Sequence, residues 1–282
     1  MKLTLFNLSA LLLLSSAVMA QHAKKDTVFF DDFSKPTLDR SKWNVEVTGN
    51  TVNDEQQAYV DSAATLYFVK GNTMGARHGA LVIKGVYKPG HTSKEQKKYD
   101  FISGRINTRE KMMFTYGSAS ARMKIPDGAG LWPAFWAMGL GNWPDCGEVD
   151  IMETVGDGSW TSSALHGPGY FGNTPIVKRT PFAKGVDVTQ WHVYTVDWTA
   201  NSLTFKVDGK VTYNVTKAMV EKYGRWAFDN PKFLILNLAL GGGFPNAVNK
   251  VKEPYYGIAQ STVDKIKAGN ATVYVDWVLV TR

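Results

Sequence analysis

Short runs rich in β-branched and aromatic residues follow one another along this chain, and no strand-to-helix alternation interrupts them, which removes the α/β folds built on parallel sheets. Residues 81–87, 118–125, 192–198, 203–207 and 273–280 read as strands, several alternating polar with apolar side chains. Asp208-Gly209, between Lys206-Val207 and Lys210-Val211, is the signature of a two-residue hairpin. The run 233–240, Phe-Leu-Ile-Leu-Asn-Leu-Ala-Leu, is nearly all apolar and suits a strand covered on both sides. Only residues 217–226 look helical. Residues 88–100 and 167–185 are polar and read as long loops. The expected fold class is all-β, a sandwich or barrel.

The first twenty residues stand apart. Lys2 precedes an apolar stretch containing Leu11 to Leu14, and Val18-Met19-Ala20 carries the residues of a signal-peptidase site, so 1–20 is expected to be a secretory signal. Residues 21–282 are then expected to form one domain, secreted or periplasmic and soluble, with no membrane attachment after cleavage. The full 282-residue sequence is 44% hydrophobic and 20% charged, enough to bury a core without disulfides, and Cys146 alone could not form one. The formal charge of +7, which becomes +6 once Lys2 is removed, invites a nucleic-acid partner. Export and the lack of any basic–aromatic motif argue against nucleic acid. A monomer is expected.

Three acids in the run Glu148-Val-Asp-Ile-Met-Glu153 carry the chemistry. In a regular strand Glu148 and Asp150 share a face and Glu153 points away. One extra residue, most simply at Ile151-Met152, would return Glu153 to that face. The two glutamates could then approach to about 5–6 Å, the spacing at which one carboxylate attacks an anomeric carbon and the other protonates the leaving oxygen. Three crowded carboxyls must share protons, which drives their pKa values apart. A solvated acidic strand is the plainer alternative. A carboxylate metal site is another, disfavoured because no His stands at ligand spacing. Trp132, Trp136 and Trp143 stand 16, 12 and 5 positions ahead of Glu148, and indoles stack well on the C–H faces of sugars. That context favours a sugar cleft.

Here the chain resembles glycoside hydrolase family 16, in its laminarinase-like endo-β-1,3-glucanase branch. The motif Trp143-Pro-Asp-Cys-Gly-Glu-Val-Asp-Ile-Met-Glu-Thr-Val-Gly156 matches the family's E-x-D-x-x-E signature. Residues 102–108, 114–117, 130–136, 165–170, 191–194, 237–243 and 275–278 match in order. The resemblance implies a β-jelly roll of two curved antiparallel sheets with the acidic strand on the floor of a cleft. It implies Glu148 as nucleophile, Asp150 as the residue that tunes it, and Glu153 as acid/base. Asn53, Arg105, Trp132, Trp136 and His166 would line sugar subsites. No catalytic cofactor is implied. A structural calcium at Asp32, a carbonyl near Gly71, and Asp276 is, although Asp32 is shorter than the usual Glu; and Phe244 stands where relatives often have Trp.

The expected function is a retaining endo-hydrolase of β-1,3 or mixed β-1,3/1,4 glucan. The alternatives are a galactanase of the agarase or carrageenase type, or a non-catalytic glucan-binding protein. A transglycosylase shares the same intermediate.

Overall fold

The computed structural model describes residues 26–282. The segment 1–20 expected as a signal lies outside the described residues. Two antiparallel sheets pack face to face as a β-jelly roll. In one sheet the strands run Lys210–Thr216, Ser202–Val207, His192–Trp198, Gly117–Lys124, Thr272–Thr281, Gly79–Lys84 and Leu66–Lys70, and Thr27–Asp31 also pairs with Thr272–Thr281. The other sheet carries the site. Its order is Val177–Pro181, Trp160–His166, Glu148–Glu153, Leu131–Gly139, Lys232–Leu240, Arg105–Asn107 and Asn44–Val45. Three further strands, Gln57–Tyr59, Lys98–Ser103 and Val86–Thr92, form a small separate sheet.

The core lies between the two large sheets, where alternate residues of each meet: Leu81, Ile83, Ala119, Ala121, Met123, Tyr194 and Val196 face Phe135, Val149, Leu165, Leu234, Leu236 and Leu238. Removing such large apolar side chains from water stabilises each by about 1.5–3 kcal/mol, and this burial holds the cleft-bearing sheet in place. The hairpin forms as expected, with Val207 opposite Lys210 and positive φ at Asp208 (51°) and Gly209 (78°), the pair of conformations that a tight twisted turn requires.

Four expectations need correction. The 88–100 loop is largely strand: Val86–Thr92 and Lys98–Ser103 pair as a hairpin whose strand residues between 88 and 100 are exposed or half-buried, so their polar sequence carried no burial pattern, while Phe101 to Ser103 are buried. Inside 167–185 lies the strand Val177–Pro181, an exposed edge strand. The helical stretch at 217–226 is one turn, Lys217–Val220. Two other α-helices occur among the described residues, Gly243–Asn249 and Gln260–Lys267, besides a 3-10 turn at Thr73–Gly75. The second buries Thr262, Val263 and Ile266, a helical spacing that its short length obscured.

Candidate active site

The register along Glu148–Glu153 explains how three acids meet. Against Leu131–Gly139, Met138 lies opposite Glu148, Trp136 opposite Asp150, Phe135 opposite Met152 and Ala134 opposite Glu153. Ile151 is the unmatched residue. The neighbour Trp160–His166 shows the same irregularity, with Ala164 opposite Asp150 and Ser162 opposite Glu153. The expected bulge is therefore present, and it turns Glu153 to the face of Glu148 and Asp150. All three line one cleft of about 390 Å³ with Trp132, Trp136, Asn237 and Ala239.

Each glutamate is held by an indole. Trp143 Nε1 donates to Glu148 Oε2 at 2.9 Å, and Trp132 Nε1 donates to Glu153 Oε1 at 2.8 Å. Asp150 lies between them and is 4% exposed. His166, opposite Glu148 in register, places Nε2 3.2 Å from Asp150 Oδ2 and 3.8 Å from Glu148 Oε1. Burial, then the neighbouring carboxylate of Asp150, raises Glu148 and Glu153 well above the usual range, while burial alone raises Asp150. The trio loses its protons as one coupled system, so ionising one acid keeps another protonated near neutral pH.

These raised carboxyls tie stability to pH. A carboxyl whose folded pKa is raised binds more protons folded than unfolded, so its contribution is full below the unfolded pKa and is lost as pH rises through the folded one. The trio should therefore make Tm fall as pH rises from about 5 to about 8. Asp150→Asn should flatten that slope and raise Tm at the alkaline end. Thermal denaturation across this range checks it; a slope unchanged in Asp150→Asn contradicts the assignment.

The wall beyond the acids is a polar network. Trp136 Nε1 donates to Asn237 Oδ1 at 2.8 Å, Asn237 Nδ2 to Tyr59 Oη at 3.2 Å, and Tyr59 Oη to Glu55 Oε2 at 3.1 Å. The Arg105 guanidinium sits over the rings of Trp136 (5.0 Å) and Tyr59 (5.7 Å), with Nε 3.0 Å from Glu46 Oε2. Arg105 is thus a half-buried cleft residue. Asn53 stands in the loop above it, where its φ of 57° turns the chain and its carbonyl accepts from Gly243 N at 2.7 Å. Phe244 meets the edge of Trp132 at 5.4 Å between centroids.

The eight residues expected in catalysis and substrate contact therefore converge. Sequence reasoning placed Trp143 near the acids without its hydrogen bond to Glu148, gave no site role to Asn237, Glu46, Glu55 or Tyr59, and judged that no His stood at ligand spacing. Asn237 had a visible signal as the lone polar residue in an apolar run. Glu46, Glu55 and Tyr59 had none. Among the described residues one group of three candidate metal ligands occurs, Glu148, Asp150 and His166, with ligating atoms within 4.8 Å of one another.

The calcium expectation fares differently. Asp276 is buried, its Oδ1 accepting from Arg77 N at 2.8 Å and its Oδ2 from Arg122 Nη1, while Asp32 Oδ1 accepts from the hydroxyl and N–H of Ser34. An ion at Asp276 would meet the Arg122 guanidinium, so these residues do not fit a calcium held by that carboxylate.

A cleft lined by indoles beside a row of three crowded carboxyls is the working surface of a glycoside hydrolase. The chain belongs to glycosyl hydrolases family 16, whose model matches residues 40–255. It is 33% identical over 251 residues to a glucan endo-1,3-β-glucosidase A1 of Niallia circulans, covering 80% of this chain and 36% of that protein. A keratan-sulfate endo-1,4-β-galactosidase of Sphingobacterium multivorum is 27% identical, covering 82% of this chain and 52% of the relative. The chain thus spans about a third and about half of those two proteins. Among solved structures, the endo-β-1,3-glucanase from Pyrococcus furiosus superposes with a TM-score of 0.77 at 31% identity, covering 91% of this chain and 94% of that one.

Proposed function

We propose that this chain is an exported, retaining endo-glycosidase that cuts internal β-1,3 linkages, or β-1,3 next to β-1,4, in laminarin-like or mixed-linkage glucan. The observation that carries the reading is the bulged strand that turns Glu148, Asp150 and Glu153 into one indole-lined cleft. Glu148, with the Trp143 N–H on one oxygen, attacks the anomeric carbon and forms a glycosyl ester. Glu153, held by Trp132, gives its proton to the departing glycosidic oxygen and then takes one from the attacking water. Asp150 keeps the charge of the strand divided between them, and His166 faces it. Trp132, Trp136, Arg105 and Asn53 hold the sugars, and the product keeps the β configuration.

Product analysis on laminarin, lichenan, agarose, carrageenan and keratan sulfate tests the substrate. Internal cleavage of the first two supports the glucanase; cleavage confined to the galactans moves the enzyme to that class, and binding without cleavage makes it a glucan-binding protein. Transfer to added sugar acceptors would identify a transglycosylase. EDTA should leave kcat unchanged, and a loss restored by a divalent ion would reassign Glu148, Asp150 and His166 as metal ligands. Trp136→Ala should raise KM for glucan by about tenfold, equivalent to about 1.4 kcal/mol of lost stacking. Export rests on the pattern of residues 1–20, and an exported protein whose N-terminus is Gln21 would support it.

A further inference from the structure

Near the start of the acidic strand one ammonium is sealed from water. Lys232, the first residue of the Lys232–Leu240 strand, has no exposed surface. Its Nζ donates to the Cys146 carbonyl at 2.9 Å, the Ala227 carbonyl at 3.0 Å and Asn230 Oδ1 at 2.6 Å. Those acceptors occupy all three N–H bonds, and none is a carboxylate. Burial pushes this lysine down to about 8, against the opposing pull of Cys146 and Asp229. A charge that the interior disfavours is nevertheless kept, and its geometry says what it supplies.

The segment it grips is the approach to Glu148. Cys146 N donates to Asn142 O and Gly147 N to Pro144 O, so residues 142–147 form a closed turn. Gly147 takes a φ of 72° and passes so close to its support that a Cβ there would clash with Ala227 O and sit 2.9 Å from Lys232 Nζ. Asn230 Nδ2 adds a second bond to the Cys146 carbonyl at 3.1 Å. The same turn carries Trp143, whose N–H reaches Glu148.

We propose that Lys232 is a positioning residue for the reaction. Its ammonium clamps the 142–147 turn onto the 227–230 segment and thereby fixes, through the backbone, where the Glu148 carboxylate and the Trp143 N–H meet the sugar. It touches no substrate, and the inference rests on Glu148 acting in the reaction. A misplacement of about 1 Å at a reacting group can cost about 100-fold in rate. Loss of the clamp should therefore lower kcat and leave KM, set by Trp132 and Trp136, nearly untouched.

The test compares Lys232→Met and Lys232→Arg with wild type well below their melting temperatures. Lys232→Met should lose about 10- to 100-fold in kcat with KM within about twofold. Lys232→Arg, which keeps a permanent cation with several donors, should recover part of that loss. On an aryl glycoside with an activated leaving group, which needs no proton from Glu153, wild-type kcat should decline above pH about 8 as Lys232 loses its proton, and Lys232→Arg should move that limb upward. A Lys232→Met enzyme with wild-type kcat, whatever its Tm, or an alkaline limb identical in Lys232→Arg, overturns the proposal. Should either variant fail to fold, Asn230→Leu replaces it: removing one acceptor and one donor to Cys146 should lower kcat several-fold at constant KM, and an unchanged kcat there overturns the proposal equally. If Glu148→Gln is inactive while Lys232→Met is normal, only the clamp fails; if Glu148→Gln still hydrolyses glucan, the catalytic reading fails first.

Discussion

Glu148→Gln is expected to lower kcat on laminarin by at least about 10⁴-fold, because the amide cannot form the glycosyl ester on which double displacement depends. Oligosaccharide affinity should stay within about threefold, since the stacking residues are untouched and the new amide oxygen can still accept from Trp143 Nε1. Tm at neutral pH should not fall. The native carboxyl is disfavoured there by burial and by Asp150, so removing it relieves an electrostatic cost. Calorimetric titration with a laminari-oligosaccharide, beside end-group assays and thermal melts, separates the three quantities. Hydrolysis within tenfold of wild type would remove Glu148 as nucleophile.

Glu153→Ala should give the second large effect, and its size should depend on the leaving group. Natural glucan leaves as a poor alkoxide and should be cut about 10²- to 10⁴-fold more slowly, the usual contribution of a placed general acid. An aryl glycoside with an acidic phenol leaves unaided, so formation of the ester should proceed and its breakdown should become limiting. Removing the carboxyl also frees Trp132 Nε1, which had donated to Glu153 Oε1, and opens room for a small anion. Azide should then attack the anomeric carbon of the ester, displace the Glu148 carboxylate and restore turnover, giving a glycosyl azide of β configuration. Proton NMR of the product reads that configuration. No azide rescue, or equal losses on both substrates, would remove Glu153 from the acid/base role.

The two outcomes depend on features of different legibility. The acidic trio could be read from six consecutive residues, since side-chain alternation and the effect of one bulged residue are local properties of a strand. The indoles at Trp132 and Trp136 were legible for the same reason. The metal alternative, by contrast, looked weak for want of a histidine, and the fold supplies one: His166 comes from the adjoining strand, directly opposite Glu148. Sequence distance hid it. The polar wall was harder still, because Tyr59 and Asn237 are 178 positions apart and meet only through the pairing of other strands.

Local pattern also misled at the surface. Residues 88–92, 98–100 and 177–181 lie in strands despite polar composition, since an exposed strand buries no face and leaves no periodic trace. What the sequence also hid is the partner of Asp276: Arg122, on the Gly117–Lys124 strand, is brought beside that carboxylate by the pairing of the two strands.

Read alone, the residues established an all-β chain with a hairpin at Asp208-Gly209 and one bulged acidic strand flanked by tryptophans, because backbone alternation, turn conformation and a one-residue insertion act over a few neighbouring positions. Strand order decided everything that requires convergence. It set His166 beside Asp150, slid Arg105 between Tyr59 and Trp136, and put the Lys232 ammonium under the turn that delivers Glu148. Which strands lie next to one another is chosen by the burial of both sheets against a shared core, a balance summed over the whole chain that no single stretch of it contains.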